Sequence, residues 1–165
     1  MKPKLIPAVA AERLVTGGPT GLIWENPVAP RLKAGQSAGC LKDPGYFRTA
    51  LGGSLYLNHR IVWFLETGEQ PPQFLDHING DKQDNRIENL RPATRSQNMQ
   101  NKGMYRNNTS GFKGVSWDRT AGKWRARCKV NGNLHYLGYY TTPEEAAEAV
   151  AGFREQHHGD FANHG

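Results

Sequence analysis

An adjacent aspartate and histidine, Asp76-His77, end a short apolar approach, and two asparagines follow at Asn89 and Asn98. A carboxylate oxygen and an amide oxygen make a sparse hard-oxygen site. That suits Mg2+, with Mn2+ as an alternative, because Mg2+ keeps water and phosphate oxygens at most of its positions. An imidazole beside such a site can take a proton from water. Asp76 and Asn98 are therefore candidate metal ligands, and His77 is a candidate general base. Asn, Asp and Gly also build ordinary turns, and much of DHINGDKQDN reads as a loop. The order His-Asn-Asn, a capped helix beyond it, and the cations Arg91 and Arg95, both candidate DNA contacts, favour the chemical reading.

Several elements must position these residues. Phe74-Leu75 leads in as a strand, and Gly80 with its Asn/Asp neighbours demands turns. Thr94-Arg95-Ser96-Gln97 matches a capping box, so a helix is expected from about Arg95 with Asn98 in its first turn. Upstream, LIW at 22–24, YFRTAL at 46–51 and SLYLN at 54–58 read as strands, with Gly52-Gly53 as a hairpin turn. HRIVWFLETG reads as a short helix stopped by Gly68. Trp63 and Phe64 fit core positions, while Asn79 and Asn85 read as turn-shaping residues. His59, at the helix start, suits either packing or a phosphate contact. Residues 1–21 are Pro/Gly/Ala-rich and read as a loosely packed lead-in.

LDHINGDKQDNRIENLRPATRSQN resembles the HNH nucleases found as phage and intron homing endonucleases. YLNHRIVWFLETGEQPP and AGCLKDPGYFRTALGGSLYLNH resemble that family's lead-in, so the likeness covers residues 22–102. It implies an α+β fold in which a β-hairpin and a helix grip one divalent metal. It makes His77, Asn89 and Asn98 the three letters of the motif. His77 would activate water, Asp76 and Asn98 would hold the metal, and Asn89 would brace the hairpin loop. Arg95 would contact a phosphate at the cleavage point. The products would carry 5′-phosphate and 3′-hydroxyl ends.

A polar segment, 103–109, reads as a linker, and three strand patterns follow at 112–117, 123–130 and 134–140. Asn131-Gly132 is a two-residue hairpin signal. Thr142-Pro143-Glu144-Glu145 opens a helix. Alternation places Lys123, Arg125, Arg127 and Lys129 on one face of KWRARCKV, about 6–7 Å apart, and Trp124, Ala126, Cys128 and Val130 on the other. Such a row suits phosphates, and a sheet can enter the major groove. GFKGV, GKWRARC, YLGYYTTPEEAAEAV and HGDFAN resemble the APETALA/ethylene-response-factor type DNA-binding domain, over residues 110–163. The resemblance implies DNA contacts at Lys113, Trp117, Arg119, Lys123, Arg125, Arg127 and Tyr136. His157 and His158 read as surface residues.

The whole chain of 165 residues carries 21 Lys+Arg and 15 Asp+Glu, a net charge of +6. Placement tells more than the total: a basic strand region precedes a helix bearing Glu144, Glu145, Glu148 and Glu155. Two cysteines far apart exclude a disulfide framework and a structural zinc site. The chain has no apolar run long enough to cross a membrane and no secretory signal pattern, so a cytoplasmic protein is expected. The leading expectation is a metal-dependent enzyme acting on double-stranded DNA, with a second copy supplying the second cut of a double-strand break. Two others stand beside it: a non-catalytic DNA-binding regulator, and an RNA-directed protein, which A-form geometry disfavours.

Overall fold

The computed structural model describes residues 4–42, 45–104 and 107–164. Residues 1–3 of the expected lead-in, and Tyr105 and Arg106 of the expected linker, lie outside them. The chain divides into two compact units, residues 1–93 and 94–165.

The first unit runs α1 (Val9–Arg13), β1 (Leu14–Thr16), β2 (Leu22–Trp24), β3 (Cys40–Lys42), β4 (Tyr46–Leu51), β5 (Ser54–Leu57), α2 (Asn58–Thr67), β6 (Phe74–His77) and β7 (Leu90–Ala93). It is a set of small antiparallel sheets: β1 with β2, β3-β4-β5, and β6 with β7. Its core gathers Ile6, Ala10, Leu14, Leu22, Trp24, Ala38, Leu51, Ile61, Val62 and Leu90. The lead-in expectation is corrected here. Ile6, Ala10 and Leu14 recur every four residues and are almost wholly buried. Each such aliphatic side chain stabilises the fold by about 1.5–3 kcal/mol for Leu or Ile.

Helix α2 ends at Gly68, whose N–H donates to Phe64 O. Its first turn is buried and polar, with Asn58, His59 and Arg60 all turned inward. Arg60 donates to Pro72 O at 2.8 Å and Pro71 O at 3.1 Å, which ties the Pro-Pro segment leading into β6. The helix therefore fixes where β6 begins.

The second unit runs α3 (Arg95–Gln100), β8 (Val115–Asp118), β9 (Lys123–Val130), β10 (Asn133–Tyr140) and α4 (Pro143–His158). Both helices carry complete capping boxes, Thr94 with Gln97 and Thr142 with Glu145. The strands form one antiparallel sheet with β9 at its centre. Asn131 and Gly132 take φ of 48° and 88°, the left-handed pair that a two-residue hairpin needs. Val115, Ala126, Ala146 and Val150 make the core between sheet and α4. The division at Ala93 precedes the segment read as a linker, and α3 is bound within its own unit. Lys113 Nζ donates to Gln100 O at 2.9 Å, and Asn163 Nδ2 donates to Asn101 O at 2.7 Å.

Candidate active site

Strands β6 and β7 pair so that Asp76 faces Arg91 and His77 faces Leu90. Adjacent strand residues point to opposite sides, which gives Asp76 and His77 separate surroundings. The Asp76 carboxylate is buried, and Arg91 Nε donates to its Oδ2 at 2.9 Å. Arg91 Nη2 lies 2.9 Å from the same oxygen. The expected phosphate contact of Arg91 is corrected: its guanidinium is half-buried against Asp76.

His77 is also buried. Its Nε2 lies 3.2 Å from Asn85 Oδ1. The His59 ring meets it edge-on with centroids 5.0 Å apart, and Tyr46 lies 6.0 Å away. Burial pushes the His77 imidazole below its ordinary pKa, against the pull of Asn85 and nearby aspartates. Burial, then His77, then Arg60, push His59 down to about 3. A buried ring that stays neutral is no cationic phosphate donor, so the DNA contact expected of His59 is corrected to a wall beside His77. Burial, then the Asp76 charge, raise the pKa of Tyr46, whose ring lies 5.0 Å from Lys82 Nζ.

Asn89 binds the loop between the strands. Its Oδ1 accepts from Asn79 N at 3.0 Å, and its Nδ2 donates to Asn79 Oδ1 at 3.0 Å and Asp84 O at 2.8 Å. A second, fully buried network was invisible in the sequence. Thr49 Oγ1 donates to Asn58 Oδ1 at 2.8 Å. Asn58 Nδ2 and Asn85 Nδ2 both donate to Thr20 O at 3.0 Å. Asn85, read as a turn former, thus reaches His77 on one side and residue 20 on the other.

Asn98 and Arg95 lie on α3 in the second unit, Asn98 half-buried and Arg95 exposed. Among the described residues no group of three or more His, Cys, Asp and Glu could hold a metal. Within the first unit Asp76 offers a buried carboxylate oxygen, the hard donor type that suits a cation with few protein ligands. Cys40 is exposed, and Cys128 is buried in the second unit.

On the sheet, residues paired across strands share a face. Arg125 pairs with Ser116 and Tyr139, Arg127 with Tyr136, and Lys129 with Leu134. Lys123, Arg127 and Lys129 are exposed, while Arg125 is half-buried and lies 3.3 Å from Asp118. Arg119 is exposed in the β8–β9 turn. A register shift between Tyr136 and Gly138 brings Tyr139, missed in the sequence, onto the cationic face beside Tyr136. Two expected contacts are corrected. Trp117 pairs with Trp124, rings edge-on at 5.2 Å, on the opposite face. Lys113 donates to Gln100 O and to Asn163 O, at 2.9 and 2.8 Å, and burial, then Arg154, lower its pKa to about 8. His158 is buried rather than superficial, with Nε2 3.2 Å from Lys129 O.

Comparison with known proteins gives the class first. Residues 56–100 match the family model described as HNH endonuclease. The chain is 32% identical over 108 residues to Protein 3.8 of Escherichia phage T7, an alignment covering 63% of this chain and 86% of that protein. The chain belongs to that phage protein's family and carries an HNH endonuclease domain. No solved structure matches it. Among the described residues no helix is long and apolar enough to cross a membrane.

Proposed function

We propose that the chain is a metal-dependent endonuclease that hydrolyses phosphodiester bonds in double-stranded DNA, of phage or mobile-element homing type. The observation that carries this reading is the buried pair Asp76-His77 inside the segment matched to the HNH model. Burial lowers the His77 pKa and so favours the neutral ring that a general base needs. His77 takes a proton from water, the hydroxide oxygen bonds to phosphorus, and the bond to the 3′ oxygen breaks. The leaving oxygen gains a proton, giving 5′-phosphate and 3′-hydroxyl ends. Asp76 and Asn98 would hold Mg2+, or Mn2+, which would stabilise the negative charge gathering on the phosphate. Asn89 braces the loop beside His77. Arg95 contacts a phosphate near the cleavage point.

In this reading residues 110–163 form an APETALA-type DNA-binding module, joined to the nuclease segment by 103–109. Its contacts are Lys123, Arg125, Arg127, Arg119 and Tyr136, with Tyr139 added. The exposed cations on one sheet face support it. The protein works in the cytoplasm of a host cell, and a double-strand break takes a second copy. A plasmid-nicking assay with Mg2+ or Mn2+, wild type beside His77→Ala, tests the proposal. Metal-dependent nicking by the wild type alone is expected. DNA binding without cleavage under every metal condition would mark a non-catalytic regulator instead.

A further inference from the structure

We propose that the outer face of the β8–β9–β10 sheet is a stacking platform for unpaired bases, so that the second unit takes single-stranded stretches of DNA. The proposal rests on the reading of this sheet as a DNA-binding face and goes beyond it in the form of DNA bound.

The face sets apolar and aromatic side chains beside cations. Outward on the edge strand β10 stand Leu134, Tyr136 and Tyr139, 44%, 68% and 51% exposed. Their partners on β9 are Lys129, Arg127 and Arg125. A regular strand would not build this face, because residues three apart point to opposite sides. The register shift between Tyr136 and Gly138 brings the two tyrosines together, and Gly138 takes a φ of +126°, which favours glycine. The same bulge keeps Leu137 and Tyr140 packed on the core beneath. Tyr139 is held at its far end: its hydroxyl donates to Asp118 Oδ2 at 3.2 Å, and Arg125 Nη1 lies 3.3 Å from the same oxygen. Asp118 is thus engaged, while Arg127 and Lys129 remain exposed, so the face as a whole is positive. A second copy of such a face would be repelled, and an apolar partner would take the guanidinium of Arg127 out of water. A polyanion with apolar rings of its own suits it.

Duplex and unpaired DNA meet such a face differently. In a duplex the bases stack on one another, and the grooves show only their edges. An exposed phenol ring finds a base face to cover only where bases are unpaired. Tyr136 and Tyr139 lie opposite Arg127 and Arg125, positions about 6–7 Å apart along a strand. Each ring therefore has room for one splayed base, with a cation beside it for the phosphate.

The test uses the full chain in EDTA, so that cleavage does not intervene. Fluorescence anisotropy compares oligothymidylate of about 16 nucleotides with the same strand annealed to its complement. Tyr136→Ala and Tyr139→Ala should each weaken single-strand binding by about 5- to 150-fold, the worth of one stacked base, and duplex binding far less. Tyr136→Trp, which keeps a ring, should retain single-strand binding. A strand carrying 5-iodouracil, irradiated on the wild type, should cross-link to Tyr136 or Tyr139, and this readout needs no variant to fold. Cross-links only outside the sheet overturn the proposal. Equal weakening of single-strand and duplex binding by both alanine variants overturns it too, yet leaves the DNA-binding reading in place. Tighter binding of oligouridylate than of oligothymidylate would assign the face to RNA and also overturn it. Binding to neither DNA form, or binding that Arg127→Ala does not weaken, would remove the DNA-binding reading and the proposal with it.

Discussion

Arg91 and Asp76 face one another across the β6–β7 pair, with Arg91 Nε donating to Asp76 Oδ2 at 2.9 Å. The side chains are 15% and 5% exposed, so this is an ion pair largely out of water. Removing one member of such a pair strands the other. Arg91→Met should therefore destabilise the protein by about 3 kcal/mol, seen as a lower urea midpoint with an unchanged slope. It should leave the salt dependence of DNA binding untouched. A phosphate contact would behave differently, lowering that dependence by about one unit.

His59 and His77 set a stability profile with a definite sign. Both are buried with lowered pKa, His59 to about 3. The unfolded chain gains protons near pH 6.5, whereas the folded chain resists them. Stability is thus complete above about pH 6.5 and falls as the solution is acidified towards the folded pKa. For His59 alone the loss at pH 4 is about 3 kcal/mol. His59→Phe, which keeps an edge-on ring, should flatten this slope in urea titrations compared at pH 7.5 and pH 4. A slope identical to wild type would contradict the burial argument. The same lowering keeps His77 neutral in mild acid, so the acid limb of nicking should lie below pH 6.5.

What could be read from the sequence was local. Thr94 with Gln97, Thr142 with Glu145, Asn131-Gly132 and Gly52-Gly53 act through hydrogen bonds or dihedrals a few residues long, and each signal appears in the string. Asp76, His77 and Asn89 could be singled out because their types and order suit such chemistry. Partnerships across long separations left no trace: Thr20 with Asn85, Asp76 with Arg91, Lys113 with Asn163. Trp117 shows the same limit on a sheet. Alternation sorts residues within a strand, but the pairing register decides which face of one strand joins which face of the next.

The core of the first unit predicts that its opening residues are indispensable. Leu14, within the segment 1–21 whose composition suggested a loose lead-in, is 1% exposed, and Leu22, in the strand that follows it, is 0% exposed. Leu22→Ala should cost about 2–5 kcal/mol, the range for truncating a buried aliphatic side chain. Thermal and urea unfolding would register it, and deletion of residues 1–21 should leave the first unit unfolded. A deletion variant with wild-type unfolding would return this segment to the status of a tail.

The sheet offers the last prediction, a separation of charges by role. Arg127 and Lys129 are exposed on the face shared with Tyr136, whereas the Lys113 ammonium sits on two main-chain carbonyls. If six phosphates are neutralised in all, the logarithm of affinity should fall with the logarithm of salt with a slope of about −5. Arg127→Ala and Lys129→Ala should each make that slope shallower by about one unit. Lys113→Met should leave the slope alone and lower the unfolding midpoint, because Gln100 O and Asn163 O lose their shared donor. Trp117→Ala, on the opposite face, should behave like Lys113→Met. Binding titrations at several salt concentrations read all four variants together. A slope changed by Lys113→Met but not by Arg127→Ala would mean that the DNA lies on some other surface.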